Sequence, residues 1–210
     1  MSTTPGPRSV KISDDERGAW TSDRPGRGER PPRPVDIAVR SRILRPADRL
    51  RYSPGSLLVV VVPVRAERER FAERVFEERS AVLSLDKVRA LLSGRVPDEE
   101  VEARAPELLD AAVSKRLLAG QTVVLVADGL GREEREHFVR LAAAAERPRH
   151  LMLVEAGRPA DEDRAALNEL RRSLDAGEMG AEGFHTALRL GGAAVSELKK
   201  VLFRPPPRDD

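Results

Sequence analysis

The residues with chemistry to offer fall in two short stretches and one turn. Ser84-Leu85-Asp86-Lys87-Val88-Arg89 sets a carboxylate and a guanidinium three positions apart. At the start of a helix that spacing lets Asp86 and Arg89 face one cleft, and the free N–H groups of the helix suit a bound anion. The bland reading is that Asp86 only caps the helix and Arg89 only covers surface. The second stretch, Val62-Pro63-Val64-Arg65-Ala66-Glu67-Arg68-Glu69-Arg70, leaves a run of six apolar residues, Leu57 to Val62. In a βαβ unit such a turn is where phosphate usually binds. A cradle there needs glycines that turn N–H groups inward, a lysine for the β- and γ-oxygens, and a Ser or Thr for magnesium. This turn has no glycine, and bulky Val62 and Val64 stand beside Arg65, Glu67, Arg68 and Glu69. Asp128, just before Gly129, reads as a turn residue.

Positioning these residues falls to strands that alternate with helices. Leu57–Val62 and Thr122–Ala127 are apolar without polar alternation, the pattern of strands buried on both faces. Helices are expected over 66–79, over 86–93 with Asp86 at its cap, over 106–119 with Pro106 in its first turn, and over 132–146 and 161–174. An acidic loop is expected over 94–104, further strands over 150–154 and 186–190, and a short closing helix over 195–203. The alternation predicts a three-layer α/β/α domain with a mostly parallel sheet.

With these elements in place the chain resembles the small P-loop kinases of the polynucleotide-kinase and zeta-toxin type. Their opening reads roughly LVVVxGPPGSGKSTFAxxxF, followed by SxDxxR. Aligning Phe71-Ala72-Glu73-Arg74 with the family's helix puts Val62 and Glu67 at the two motif glycines, Arg68 at the lysine and Glu69 at the magnesium-binding Ser/Thr. Ser84 to Arg89 matches SxDxxR in full. The resemblance covers about residues 55–190 and implies a P-loop NTPase-like fold. It also implies a general-base role for Asp86 and an acceptor-phosphate role for Arg89. Arg164 falls at the family's lid arginine, although the abundance of Glu and Arg in 161–172 makes a solvated helix the simpler account of it. At the end of the third strand the family carries a DATN-like run. Val126 holds its Asp position here, and Asp128 lies two residues later, where it could substitute as a magnesium ligand.

Composition sets the outer bounds. The 210 residues contain no cysteine, which excludes disulfides, thiolate catalysis and Cys-based zinc sites. The three histidines, His137, His150 and His185, lack metal-ligand spacing. No apolar run approaches the roughly 20 residues of a membrane span, and no hydrophobic signal core opens the chain, so a soluble cytoplasmic protein is expected. Residues 1–52 carry twelve Arg or Lys against seven Asp or Glu. Pro, Gly, Ser and Arg dominate 1–34, so 1–52 reads as a disordered or loosely packed tail in which 35–52 could form a short edge strand. A single domain is expected over 53–204, with a frayed end at 205–210. Arginine far outnumbers lysine, the coding bias expected of a GC-rich bacterial genome.

Two functions remain open at this level. One is a degenerate kinase-like fold that needs no cofactor and acts by binding a protein partner, a nucleotide or a phosphorylated ligand. The other is an ATP- and Mg²⁺-dependent nucleotide or polynucleotide phosphotransferase in which Arg65 or Arg68 stands in for the lysine. Nucleic-acid binding through the arginine-rich tail is a weaker third. Aromatic residues are only 3% of the chain, too few for a base-stacking surface.

Overall fold

The computed structural model describes residues 36–205. The expected tail up to residue 35 and the end beyond 205 lie outside the described residues. Among the described residues are eight strands and six α-helices, beginning with β1 (Arg42–Ile43), β2 (Arg49–Tyr52) and β3 (Leu57–Val61). Then come α1 (Arg65–Val75), β4 (Val82–Ser84), α2 (Leu85–Leu92), α3 (Asp98–Leu118) and β5 (Val123–Val126). The remainder is α4 (Arg132–Ala144), β6 (Arg149–Glu155), α5 (Arg164–Asp175), β7 (Thr186–Gly191), α6 (Ala193–Glu197) and β8 (Lys200–Phe203).

The main sheet has the order β1-β7-β6-β3-β5-β4, and all its pairings are parallel. Its central strands β3 and β5 are apolar throughout because both their faces are covered. On one face Leu57, Val59 and Val61 meet Leu109 and Val113 of α3, Phe138 and Val139 of α4, and Leu167 and Leu170 of α5. On the other, Leu58, Val60 and Val62 meet Phe71, Ala72 and Val75 of α1 together with Leu50, Tyr52 and Val201. The last three come from β2 and β8, which pair in parallel as a two-stranded sheet. Residues 36–52, grouped with the tail by composition, therefore carry two strands and the buried Ile37, Leu50 and Tyr52.

Three helices differ from expectation in their bounds. No acidic loop occupies 94–104, because α3 starts at Asp98 and runs through Pro106. Ala105, Leu109, Val113 and Leu117 are buried at four-residue spacing, and partly buried Val101 extends that stripe one turn back. Burial along the stripe outweighs the one backbone hydrogen bond that an exposed proline removes. Asp98, Glu99 and Glu100 then sit at the positive end of the helix dipole. The expected closing helix over 195–203 is also replaced. Only Ala193–Glu197 is helical, and Lys200–Phe203 is a strand with Val201 turned inward, bridged to Phe76. That bridge draws Phe76 into extended backbone and ends α1 at Val75, short of the expected residue 79.

His150 of β6 packs its ring 4.7 Å from that of Tyr52, and its Nδ1 lies 2.8 Å from Thr186 Oγ1. Burial, with a smaller push from His185, holds its imidazole down to about 4. The folded protein therefore keeps His150 neutral while the unfolded chain takes up a proton below its ordinary value. Stability is lost as pH falls through that interval, by about 2 kcal/mol between roughly pH 7 and pH 5 from this group. Denaturant titrations at the two pH values should show that loss in the wild type and a clearly smaller one in His150→Phe.

Candidate functional site

The chain leaves β3 toward the α1 face and leaves β5 toward the α4 face. A crevice opens outside the carboxyl ends of parallel strands where such paths diverge. Here it is a cleft of about 280 Å³, lined from the β3 side by Arg65, Arg68 and Glu69. Ser84, Asp86 and Lys87 line it from the β4–α2 junction, and Val126 and Asp128 from the end of β5.

Only Val62, Pro63 and Val64 separate β3 from α1. No residue from 62 to 70 has a positive φ, so the turn forms no concave nest of N–H groups. The Glu67 N–H is already spent on the Val64 carbonyl at 2.9 Å, and Arg68 and Glu69 lie within the helix. Val64 is pressed against Gly157, where an added Cβ would lie 3.1 Å from its Cγ2.

The charged side chains over the cleft are joined to one another. Arg68, only 13% exposed, donates from Nε to the Val62 carbonyl at 3.1 Å and from Nη1 to Asp128 Oδ1 at 3.0 Å. Arg65 donates from Nε to Asp86 Oδ2 at 3.2 Å and pairs with Asp86 a second time through Nη2. Arg89 donates to Asp86 Oδ1 at 3.2 Å, lies 3.7 Å from Asp128 Oδ2, and grips the Glu102 carboxylate at 2.8–3.2 Å. Glu102 above all, then Asp128 and Asp86, hold the Arg89 guanidinium above its ordinary value against the opposing effect of burial. Three arginines and three carboxylates thus form one chain across α1, α2, α3 and the end of β5. Lys87 and Glu69 line the cleft with no ion-pair partner among the described residues.

Asp128 is held from behind. Its N–H and that of Gly129 donate to the Glu134 carboxylate at 2.8 and 3.0 Å. The next residue of α4, Arg135, donates to the Leu130 carbonyl at 2.6 Å. The rest of the Arg135 guanidinium forms a buried two-point pair with Glu182 at 2.8 and 2.9 Å.

Five of the six residues singled out by sequence, Arg65, Arg68, Asp86, Arg89 and Asp128, meet in this network. Arg164 does not. It opens α5, pairs with Asp161 at 2.6 Å and is not among the residues lining the cleft. Asp86 is not the cap of α2, because Ser84 Oγ accepts the Lys87 N–H at 3.1 Å and leaves the Asp86 carboxylate free for its two arginines. Sequence reasoning missed Glu102, which lay in a stretch read as loop, and Glu134. Glu134 stands in the first turn after a Gly-rich stretch, a position where a carboxylate commonly reaches back to N–H groups. Among the described residues, no group of three or more His, Asp or Glu is placed to hold a metal ion, and no helix is long and apolar enough to cross a membrane.

Residues 69–175 match the model of the AAA domain family. The chain belongs to that family. The fold of this AAA domain is accordingly P-loop kinase-like, as the SxDxxR resemblance implied, and the matched region contains Asp86, Arg89 and Asp128. It opens at Glu69, so the turn from Val62 to Arg68 falls outside it. Among solved structures, the tunicamycin resistance protein of Deinococcus radiodurans aligns over 72% of this chain and 99% of its own, at 13% identity and a TM-score of 0.35. No curated protein matches the chain.

Glu182→Gln leaves the Arg135 charge buried without its carboxylate. A loss of about 3–5 kcal/mol in unfolding free energy is expected, measured by urea denaturation. Glu134→Gln, on a half-buried side chain, should cost only about 1 kcal/mol.

Proposed function

We propose that this AAA domain keeps a kinase-like fold without ATP-dependent phosphotransfer, and that it works as a binding or regulatory protein. The observation that carries the reading is the engagement of Arg68. This side chain occupies the position of the phosphate-binding lysine, yet it is tied to Asp128 and to the Val62 carbonyl over a three-residue turn without glycine. A triphosphate in the cleft would have to break that pair and sit against the carboxylates of Asp128 and Asp86. Charge repulsion and the lost ion pairs both oppose it. The chemistry left to the cleft suits a nucleotide or protein ligand recognised by shape and by Lys87, Glu69 and the apolar wall of Ala72, Val82, Leu85 and Val126.

The second reading, an active phosphotransferase, has one observation in its favour. Asp86 lines the cleft and Arg89 pairs with it, the two residue types an acceptor site requires. Under it Asp86 is the general base, Arg89 meets an acceptor phosphate, Asp128 holds Mg²⁺, and Arg65 or Arg68 replaces the lysine. Both arginines would first have to exchange their carboxylates for phosphate.

Isothermal calorimetry and product analysis separate the two. With the full-length protein, Mg·ATP should give no saturable heat, and neither mononucleotides nor 5′-hydroxyl oligonucleotides should become phosphorylated. Tight Mg·ATP binding that disappears in Arg68→Ala, or ADP production that depends on Asp86, overturns the proposal.

A further inference from the structure

We infer that a second site, for a small oxyanion, lies at the amino ends of β6 and β7, at the opposite pole of the sheet from the cleft. Arg149 opens β6, and its parity with Leu151 and Leu153 places it on the α4 face. His185 immediately precedes β7 and shares the face of Ala187. The register pairs His150 with Thr186, so Arg149 and His185 stand side by side beneath the C-terminal end of α4. Together with Glu146 and Arg147 they line an open cavity of about 430 Å³.

The contrast with Arg135 identifies what is missing. Both arginines are almost fully buried, at 3% exposure for Arg135 and 6% for Arg149. Arg135 has the two-point carboxylate of Glu182. Arg149 enters no ion pair among the described residues, and its buried Nε has no hydrogen-bond partner. Burying an arginine without a carboxylate is costly, and burial alone pulls the Arg149 guanidinium below its ordinary value. A ligand that brings an oxyanion supplies the group that the chain itself provides for Arg135.

His185 completes the donor set. Its Nδ1 accepts the Arg149 backbone N–H at 3.2 Å, which leaves the proton on Nε2. Burial and the adjacent Arg149 charge keep that imidazole neutral, hence a donor without a competing acceptor nitrogen. Arg147 lines the cavity too, but its guanidinium turns away to the Leu117 carbonyl at 3.0 Å and packs against Gly120, so Arg149 supplies the charge. Glu146 opposes that charge. It is the one non-glycine residue with a positive φ, 56°, among the described residues, and it sets a carboxylate at the mouth of the cavity. Its charge disfavours a dianion more than a monoanion, so the site suits a carboxylate or a singly charged phosphate ester, with room for the attached group.

The test uses the full-length protein at low ionic strength, titrated separately with inorganic phosphate and with acetate, and followed by calorimetry and the ring signals of His185. Saturable binding of at least one anion is expected, weakened about tenfold or more in Arg149→Met and less in His185→Ala. Glu146→Gln should tighten it, phosphate more than acetate, and Arg68→Ala should leave it unchanged. The proposal is overturned if neither anion saturates, or if binding follows Arg68 and the Arg149 and His185 variants match the wild type. Should Arg149→Met fail to fold, the opposite signs expected for His185→Ala and Glu146→Gln decide the matter.

Discussion

The ion pair between Arg68 and Asp128 joins the two strand ends on which the cleft is built. One partner sits in the first turns of α1 and the other at the tip of β5, 60 residues apart in sequence. Because Arg68 is mostly buried and Asp128 half so, the pair is better shielded than a surface contact, and losing one partner strands the other in a poor solvent. The Val62 carbonyl, taken by the same guanidinium, ties the turn after β3 into the arrangement. Arg89 then extends it to Asp86 and Glu102, so elements that could move apart around a phosphate are instead fastened to each other.

The same logic of charge compensation runs through the domain. Glu155, at the carboxyl end of β6, is pushed up by burial, but hydrogen bonds from Arg171 and Arg189 outweigh this and hold it below its ordinary value. Arg189 in turn reaches Asp175. Arg135 has Glu182, and Lys200 pairs with Glu77. Against this background an arginine left without a carboxylate stands out, and that is the position of Arg149 at the other pole of the sheet.

Much of this architecture can be read from residue order. Leu57–Val61, Val123–Val126 and Leu151–Val154 announce a parallel sheet covered on both faces, because alternation is absent where both faces meet helices. Asp86 and Arg89 are legible as a pair because three residues on a helix are local. What lies further apart is hidden. Glu102 reaches Arg89 only because α3 begins eight residues before Pro106, and acidic residues mask the apolar stripe that makes it helical there. β8 escapes notice because a four-residue strand with two charged neighbours gains its order from β2 and Phe76, more than 120 residues earlier. Asp128 reads as a turn residue or a metal carboxylate. In the fold it sits in a turn clamped by Glu134, and its carboxylate faces Arg68 and Arg89, neither of which sequence reasoning paired with it.

A double-mutant cycle on Arg68 and Asp128 measures directly whether the cleft is held by its own charges. Unfolding free energies of the wild type, Arg68→Ala, Asp128→Ala and the double variant give the coupling between the two side chains. A favourable coupling of about 1 kcal/mol or more is predicted, larger at low salt than at high salt. Additive effects, with coupling within about 0.3 kcal/mol of zero at low salt, would contradict the account and leave Arg68 free to serve a phosphate.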